Sequence, residues 1–464
     1  MKIRIPTILT LISIFVLAFI FVSFFLRLPF VQNVSRETAG TAVLLSTFFL
    51  TMMVGMPISF SLGLSAFLTA YYLGIPVMIV FQRMSAGINA FSLIAIPFFI
   101  LAGQIMADGG IAEKIVEFSK ILVGRIRGGL AMTNIVASMF FGGVSGSSVA
   151  DTSSIGALLI PMMVKEGYDR EFSVAVTVTS STQGIIIPPS HNMIIYSLAA
   201  GGVSIGALFM AGYIPGIMVG VSQMIVAYFI ARKRNYPKAG KVGFKEALKI
   251  TRDSILGLMA ALIIILGIAF GVFTATEASV IAAVYALIIT VFVYRTMNFR
   301  KIITVFKNAS ITIAMVLFLI ANASAFGYLM AYLRIPHTIA QMLLSVTTNK
   351  YLLMLLINLT LLLLGMIMDM APLILITTPI FLPIVTKLGW SPIQFGIIML
   401  LNLSIGLCTP PVGNTLFVGC AIGKTTIEKT VKAMWPFYIS MIIVLLLVTY
   451  VPWFTMFLGS KFMK

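Results

Sequence analysis

The chain has 464 residues, 60% of them hydrophobic and only 9% charged. Soluble domains are about 25% charged, so this composition excludes both a water-soluble globular domain and a disordered chain. The net charge of +18, from 31 Lys+Arg against 13 Asp+Glu, would point to nucleic acid in a soluble protein; in so apolar a chain it reads as basic loops held at the inner leaflet.

Apolar stretches near ~20 residues recur along the whole length, the pattern of membrane-spanning helices. A β-barrel would alternate apolar and polar residues over ~10-residue stretches, whereas Ile255–Gly271 is continuously apolar. The N-terminal segment starts with Lys2 and Arg4 and stays apolar to Arg27, before Leu28-Pro29-Phe30. Its apolar core exceeds the ~7–15 residues of a signal peptide and no small-residue cleavage site follows. It is read as an uncleaved helix near 7–26 with Met1 cytoplasmic. Further helices are expected near 41–55, 57–73 and 85–107, with Arg83 as a snorkelling anchor at an interface. A segment near 110–125, with Glu113, Lys114, Glu117, Lys120 and Arg125, suits an amphipathic helix at the membrane surface.

The next segment, Gly142–Ser154, is a polar run of Gly, Ser, Thr and Asp151 between the short apolar flanks Met132–Phe141 and Ile155–Met163. Each flank is too short to cross a ~30 Å core at ~1.5 Å per residue, so the simplest geometry is a re-entrant hairpin turning near 142–153. Non-helical backbone is tolerated at that depth only inside protein or beside a wet cavity. Free carbonyls and hydroxyls there suit a hard cation such as Na⁺, and helix N-termini suit a carboxylate. The alternative is an ordinary external Gly/Ser loop; a carboxylate at mid-membrane, which costs about 2.5–3.5 kcal/mol on insertion scales, speaks against a merely packed segment.

A broken helix is expected over 172–200, interrupted at Ile187-Pro188-Pro189-Ser190. Paired prolines remove two N–H donors and release the carbonyls of the preceding turn; the bland alternative is a simple kink. Helices near 205–231, 254–273, 276–294 and 303–331 follow. Between the first two lies the one clearly polar stretch, Arg232–Asp253, with eight basic residues against Glu246 and Asp253, which the positive-inside rule makes cytoplasmic. Thr274-x-x-Glu277 reads as a capping box. The pattern then returns: a hairpin turning near 366–372, a broken helix over 393–422 interrupted at Thr409-Pro410-Pro411, and a last helix near 436–458. Asp369, at the second hairpin, suits a cation ligand, a helix cap or a gate residue.

The return is measurable. A shift of 222 residues superposes Pro161 on Pro383, Lys165 on Lys387, Gly167 on Gly389, Gly184 on Gly406, Pro188-Pro189 on Pro410-Pro411, Asn192 on Asn414, Ala199 on Ala421 and Gly201 on Gly423. These nine identities fall where composition gives roughly three. Repeats with corresponding interrupted helices point to a secondary transporter and to its binding site. The fold class is therefore an all-α polytopic membrane protein of two inverted repeats, each with a re-entrant hairpin and a broken helix. Residues 1–40 form an extra N-terminal helix, 41–231 the first half, 232–253 the basic linker and 254–464 the second half. Cys408 and Cys420 provide neither a disulfide framework nor metal spacing.

The stretches Ala95–Gly103, Gly142–Asp151, Ile187-Pro188-Pro189-Ser190, Phe273–Ala278 and Cys408–Gly413 resemble the large membrane subunit of tripartite ATP-independent periplasmic (TRAP) transporters. The likeness spans residues ~40–460, except that His191-Asn192 stands where members often carry Ile-Pro and that the helix before residue 40 is additional. The resemblance implies a Na⁺-coupled importer of an organic acid (sialic acid, a C4-dicarboxylate or a sugar acid) in the bacterial inner membrane. It also implies an elevator-type transport domain moving against a scaffold, a separate small four-helix membrane subunit, and a periplasmic binding protein that delivers the substrate. Carried over by position, Na⁺ ligands come from around Gly143, Ser145, Ser147, Asp151, Pro188, Asp369, Thr409 and Asn414. Substrate contacts fall to Ser147, Ser148 and Asn192.

Two other functions compete. Gly143-Val144-Ser145-Gly146 matches a Gly-x-Ser-Gly pattern with His191 as a possible base, which would make an intramembrane serine protease; it leaves the duplication unexplained. A cation antiporter, or a symporter working without a binding protein, would share the same hairpins. No Walker sequence is present, so ATP is not the energy source.

Overall fold

The computed structural model describes residues 35–238, 240 and 243–460. The helix expected at 7–26 lies outside the described residues, as do Lys241, Lys461 and Lys464. Among the described residues there are helices and no strands, and seven helices are long and apolar enough to cross a membrane.

In chain order the first helices are α1 (Arg36–Met53), α2 (Ile58–Leu73), α3 (Val77–Ile88), α4 (Ala95–Asp108) and α5 (Ile111–Val123). The last is the expected amphipathic segment, and it buries Ile111, Ala112, Ile115, Val116 and Ser119 on one side. Then come α6 (Gly129–Ser145), α7 (Ser148–Lys165), α8 (Arg170–Ser181), a single turn α9 (Gln183–Ile186), α10 (His191–Ala199) and α11 (Ile205–Lys233). They are followed by α12 (Phe244–Ala269), α13 (Ala275–Ile288), which continues through a π turn at Ile289–Val293, and α14 (Phe299–Tyr332). The remaining helices are α15 (Ile335–Val346), α16 (Lys350–Gly365), α17 (Met370–Lys387), α18 (Pro392–Leu407), α19 (Asn414–Gly423), α20 (Ile427–Tyr450) and α21 (Trp453–Gly459). The sequence reading passed over α15 and the body of α16, although Arg334 before Pro336, and the Asn349 side chain capping Tyr351 and Leu352, mark their starts.

The first hairpin differs from expectation in one respect. Its arms are 17 and 18 residues long, or about 26 Å each at 1.5 Å per residue, because most of the Gly/Ser run stays helical. Small residues continue a buried helix readily when each carbonyl keeps its partner one turn later. Only Gly146 and Ser147 leave helical geometry, so the set of freed carbonyls is smaller than the composition suggested. The Thr274–Glu277 capping box is formed in full at the start of α13.

The described chain divides into two compact units that cut across the two sequence halves. One comprises 35–91, Ala314–Thr348 and Leu375–Ile384. In it the end of α14 packs on α1–α3: Phe326 lies 5.5 Å from Phe48 and Phe318 lies 5.0 Å from Phe60, ring to ring. Arg83, expected to anchor in an interface, is exposed and stacks 4.4 Å over the Tyr328 ring, a cation–π contact worth about 0.5–1 kcal/mol at an exposed site. The other unit comprises Ser92–Ile313, Asn349–Ile374 and 385–460, and it contains both interrupted helices and both hairpin turns.

Candidate functional site

The site is built from backbone contacts between each hairpin turn and an unwound segment, all within the second unit. In the first half, α6 and α9 cross at two glycines. A Cβ on Gly142 would stand 2.3 Å from the Gly184 Cα, so only hydrogen fits there. In the second half α16 and α18 cross the same way, with a Cβ on Gly406 falling 2.5 Å from the carbonyl carbon of Gly365. Gly184 corresponds to Gly406 at the repeat offset, and Gly142 to Gly365 within one residue of it.

These crossings bring each turn onto its unwound stretch. Gly143 and Gly146 face Ile187–Ser190: a Cβ at Gly143 would lie 3.2 Å from the Pro188 carbonyl oxygen, and one at Gly146 3.0 Å from that of Pro189. Gly146 also holds left-handed backbone, φ +61°, which a side chain resists. From the other side α4 approaches through Gly103, whose Cβ would be 3.2 Å from the Ser145 Cα. In the second half the Val412 amide donates to the Met366 carbonyl at 3.1 Å, tying the unwound segment to the second turn. The Pro188–Pro189 and Pro410–Pro411 bonds are both cis. A phenol on the second helix after each unwound segment donates into it: Tyr213 of α11 to the Pro188 carbonyl at 3.4 Å and Tyr438 of α20 to the Cys408 carbonyl at 2.6 Å. A carbonyl has two lone pairs, so Pro188 keeps one for a further donor or a cation.

The expected site residues sort as follows. Gly143, Ser145, Ser147, Ser148 and Asp151 sit on the first turn and its flanking helix ends, with Pro188 and Asn192 on the facing segment. Ser147 caps α7, accepting from the Ala150 amide at 3.3 Å. Ser148 is engaged inward: its hydroxyl lies 2.7 Å from that of Ser181 and 3.1 Å from that of Thr415. That chain joins the first hairpin, the first broken helix and the start of α19. Asp151, in the first turn of α7, is fully buried, and neither carboxylate oxygen accepts a hydrogen bond; its polar neighbour is the Ser138 side chain. Asn192 is buried at the second position of α10.

The second group gathers separately. Asn414 donates to the Asp369 carboxylate at 3.3 Å, uniting two residues 45 positions apart, and Asp369 immediately precedes α17. Thr409 donates its hydroxyl to the Ile405 carbonyl at 2.7 Å. Its own carbonyl lies 3.0 Å from where a Cβ on Gly413 would stand, and Gly413 has φ +47°. Ser145 and His191, the pair a protease would need, share no hydrogen bond; Ser145 instead accepts from the Ser147 amide at 3.5 Å.

Sequence reasoning missed several buried polar groups. The oxygens of Thr152, Ser190 and the Gln183 amide are buried without partners. Gln183 donates to Gln223, which donates on to the Thr179 carbonyl at 2.9 Å. Asn134 donates to Thr177 at 2.6 Å, and Asn402 donates to the Asn358 amide oxygen at 3.0 Å. A polar residue recurring on the buried side of an apolar helix was the available signal. Among the described residues no three His, Cys, Asp or Glu side chains cluster as metal ligands. The donors on offer are carbonyls, hydroxyls, amides and isolated carboxylates, an all-oxygen set suited to a hard cation rather than to a transition metal.

Comparison with known proteins agrees with this architecture. The profile of the family described as "Tripartite ATP-independent periplasmic transporter, DctM component" matches residues 45–454. A C4-dicarboxylate TRAP transporter large permease protein of Vibrio cholerae is 39% identical over 435 residues, covering 89% of this chain and 96% of that protein. A sialic acid TRAP transporter large permease protein of the same organism is 37% identical over 415 residues, again covering 89% and 96%. In three dimensions the chain resembles the YdaH transporter of Alcanivorax borkumensis, with a TM-score of 0.62 at 16% identity over 90% of this chain and 98% of that one; at that identity the likeness is one of fold. With a family profile spanning the chain, relatives matched nearly end to end and an all-helical polytopic fold, the protein is a multi-pass membrane transport protein that belongs to the DctM family of TRAP transporter large permeases.

Proposed function

We propose that this chain is the Na⁺-coupled permease subunit of a TRAP importer in a bacterial inner membrane, carrying an organic acid handed over by a periplasmic binding protein. A separate small four-helix membrane subunit completes the complex. The observation that carries the reading is the pairing, in both halves, of a hairpin turn with an unwound proline segment, buried at Ile187–Ser190 in the first half and partly exposed at Pro411 and Val412 in the second. At the first pairing, the Pro188 carbonyl, Ser145, Ser147 and the unpartnered Asp151 supply oxygens for one cation. At the second, Asp369, Thr409 and Asn414 supply them for another. Sodium bound there organises both turns, and the helix starts beside them favour the substrate carboxylate. Ser147 and Asn192 contact the substrate, and Ser148 supports them through Ser181 and Thr415. Cation and anion then cross together, which lowers the desolvation penalty of moving either alone. The two relatives' names supply the substrate class, a carboxylic acid of C4-dicarboxylate or sialic acid type. The elevator movement rests on family membership.

Uptake of radiolabelled acid into proteoliposomes holding both membrane subunits tests the proposal. Uptake should require an inward Na⁺ gradient and the cognate binding protein. Full uptake in K⁺-only buffer on both faces would overturn the coupling. Full uptake without the binding protein would favour a self-sufficient symporter or antiporter.

A further inference from the structure

A cleft away from the hairpins has a chemistry the transport reading does not use. The C-terminal end of α11 and the first turns of α20 bound a cavity of about 400 Å³, lined by Lys233, Arg234 and Lys432 with Phe172, Ile230 and Pro436. Arg234 is already engaged: its guanidinium donates to the Asp169 carboxylate and, at 3.2 Å, to the Tyr236 hydroxyl. Among the described residues Lys233 and Lys432 have no ion-pair partner. Two cations without an ion pair therefore stand at the mouth; the acidic groups near them by position are Asp169, already paired with Arg234, and Glu428, one turn before Lys432.

What lies beneath the mouth decides the ligand. The walls are the apolar side chains of Phe172, Ile230, Ala433 and Pro436; Phe229 and Trp435, next in sequence to Ile230 and Pro436, are 62% and 60% exposed. Helix α11 packs against α20. The end of α11 meets the start of α20 at the cleft, so the helices run antiparallel from their basic ends, and Ile230 and Pro436 lie on the interior side of the two lysines along them.

We propose that this cleft binds an anionic phospholipid, its phosphate between Lys233 and Lys432 and the start of its acyl chains against Ile230, Ala433 and Pro436. Charge complementarity selects the headgroup, and the continuity of basic mouth and apolar walls selects a lipid over a free phosphate. Basic pockets between helices at a membrane face are suited to such headgroups.

The test uses the full-length permease with its membrane partner in detergent, with native mass spectrometry reading bound dioleoyl phosphatidylglycerol, dioleoyl phosphatidylcholine or inorganic phosphate. Phosphatidylglycerol should bind and phosphatidylcholine should bind far less. The pair Lys233→Gln/Lys432→Gln should weaken phosphatidylglycerol roughly 30-fold, about fivefold for each lysine. The pair Lys245→Gln/Lys249→Gln, which removes the same charge from α12, should leave it close to the unaltered chain. Equal weakening by both pairs, equal binding of the two lipids, or displacement of lipid by equimolar phosphate would each overturn the proposal. If the first pair is not recovered folded, the single variants carry the same comparison.

Discussion

The glycine crossing of α6 with α9 yields the sharpest prediction. In Gly142→Ala the new methyl would lie 2.3 Å from the Gly184 Cα and 2.8 Å from its amide nitrogen. An ordinary carbon contact needs about 3.5 Å, so the two backbones must part by about 1.2 Å. Neither side has a rotamer with which to yield. Overpacking of this kind costs about 1–3 kcal/mol, and a backbone neighbour puts the cost at the upper end. At about 2 cal/mol/K of unfolding entropy per residue, that corresponds to a fall of about 3 °C in apparent melting temperature. The displacement also carries Gly143 away from the Pro188 carbonyl, so transport should fall more than stability does, by roughly tenfold to a hundredfold for a site shifted by 1 Å. Gly327→Ala is the control, since a Cβ there meets nothing within 4 Å. Thermal unfolding followed by size-exclusion in detergent, together with proteoliposome uptake, measures both quantities. If Gly142→Ala melts and transports like Gly327→Ala, the two helices are not in backbone contact and the hairpin is not docked as described.

Further expectations follow from the same geometry. Asp151→Asn should keep or slightly raise the melting temperature, because it removes a buried charge without a hydrogen bond, yet abolish Na⁺-driven uptake; retained Na⁺ dependence would remove Asp151 from the cation site. Ser148→Ala should destabilise by about 1–2 kcal/mol through its two hydroxyl contacts, and a chain as stable as the parent in denaturation would contradict the Ser181–Ser148–Thr415 link. Arg234→Gln should cost under about 1 kcal/mol, since its pair with Asp169 is half exposed, and the difference should vanish at high salt. Burial pushes the Tyr168 phenol up to about 12. Its contribution is thus complete below the ordinary tyrosine value near 10 and lost as the pH rises toward 12. Tyr168→Phe, which also gives up the bond to the Pro237 carbonyl, should show a shallower alkaline loss of stability in pH-dependent melting curves.

The membrane class and the two proline interruptions were legible because each is a one-dimensional signal, whereas the expected basic linker 232–253 is helical from Phe244 onward. Apolar length and positive charge report the bilayer, and a proline pair removes amide donors wherever it stands. The amphipathic α5 and the Thr274 capping box were legible for the same reason: local spacing alone specifies them. Helix ends within the Gly/Ser run were not. Gly142–Ser145 and Ser148–Ser154 have poor intrinsic helix propensity, and burial between α8, α9 and neighbouring helices overrides it.

What the sequence determined by itself, then, was a polytopic helical transporter with a duplicated pattern of interruption, since periodicity, hydropathy and breaker residues act locally. Only the tertiary structure decided which interruption meets which turn. Gly142 touches Gly184, Asn414 reaches Asp369, and Ser148 spans from Ser181 to Thr415. These partners lie from 33 to 267 positions apart. Their pairing follows from close packing of helices, in which a single missing Cβ sets where two backbones can cross, and no local pattern encodes that choice.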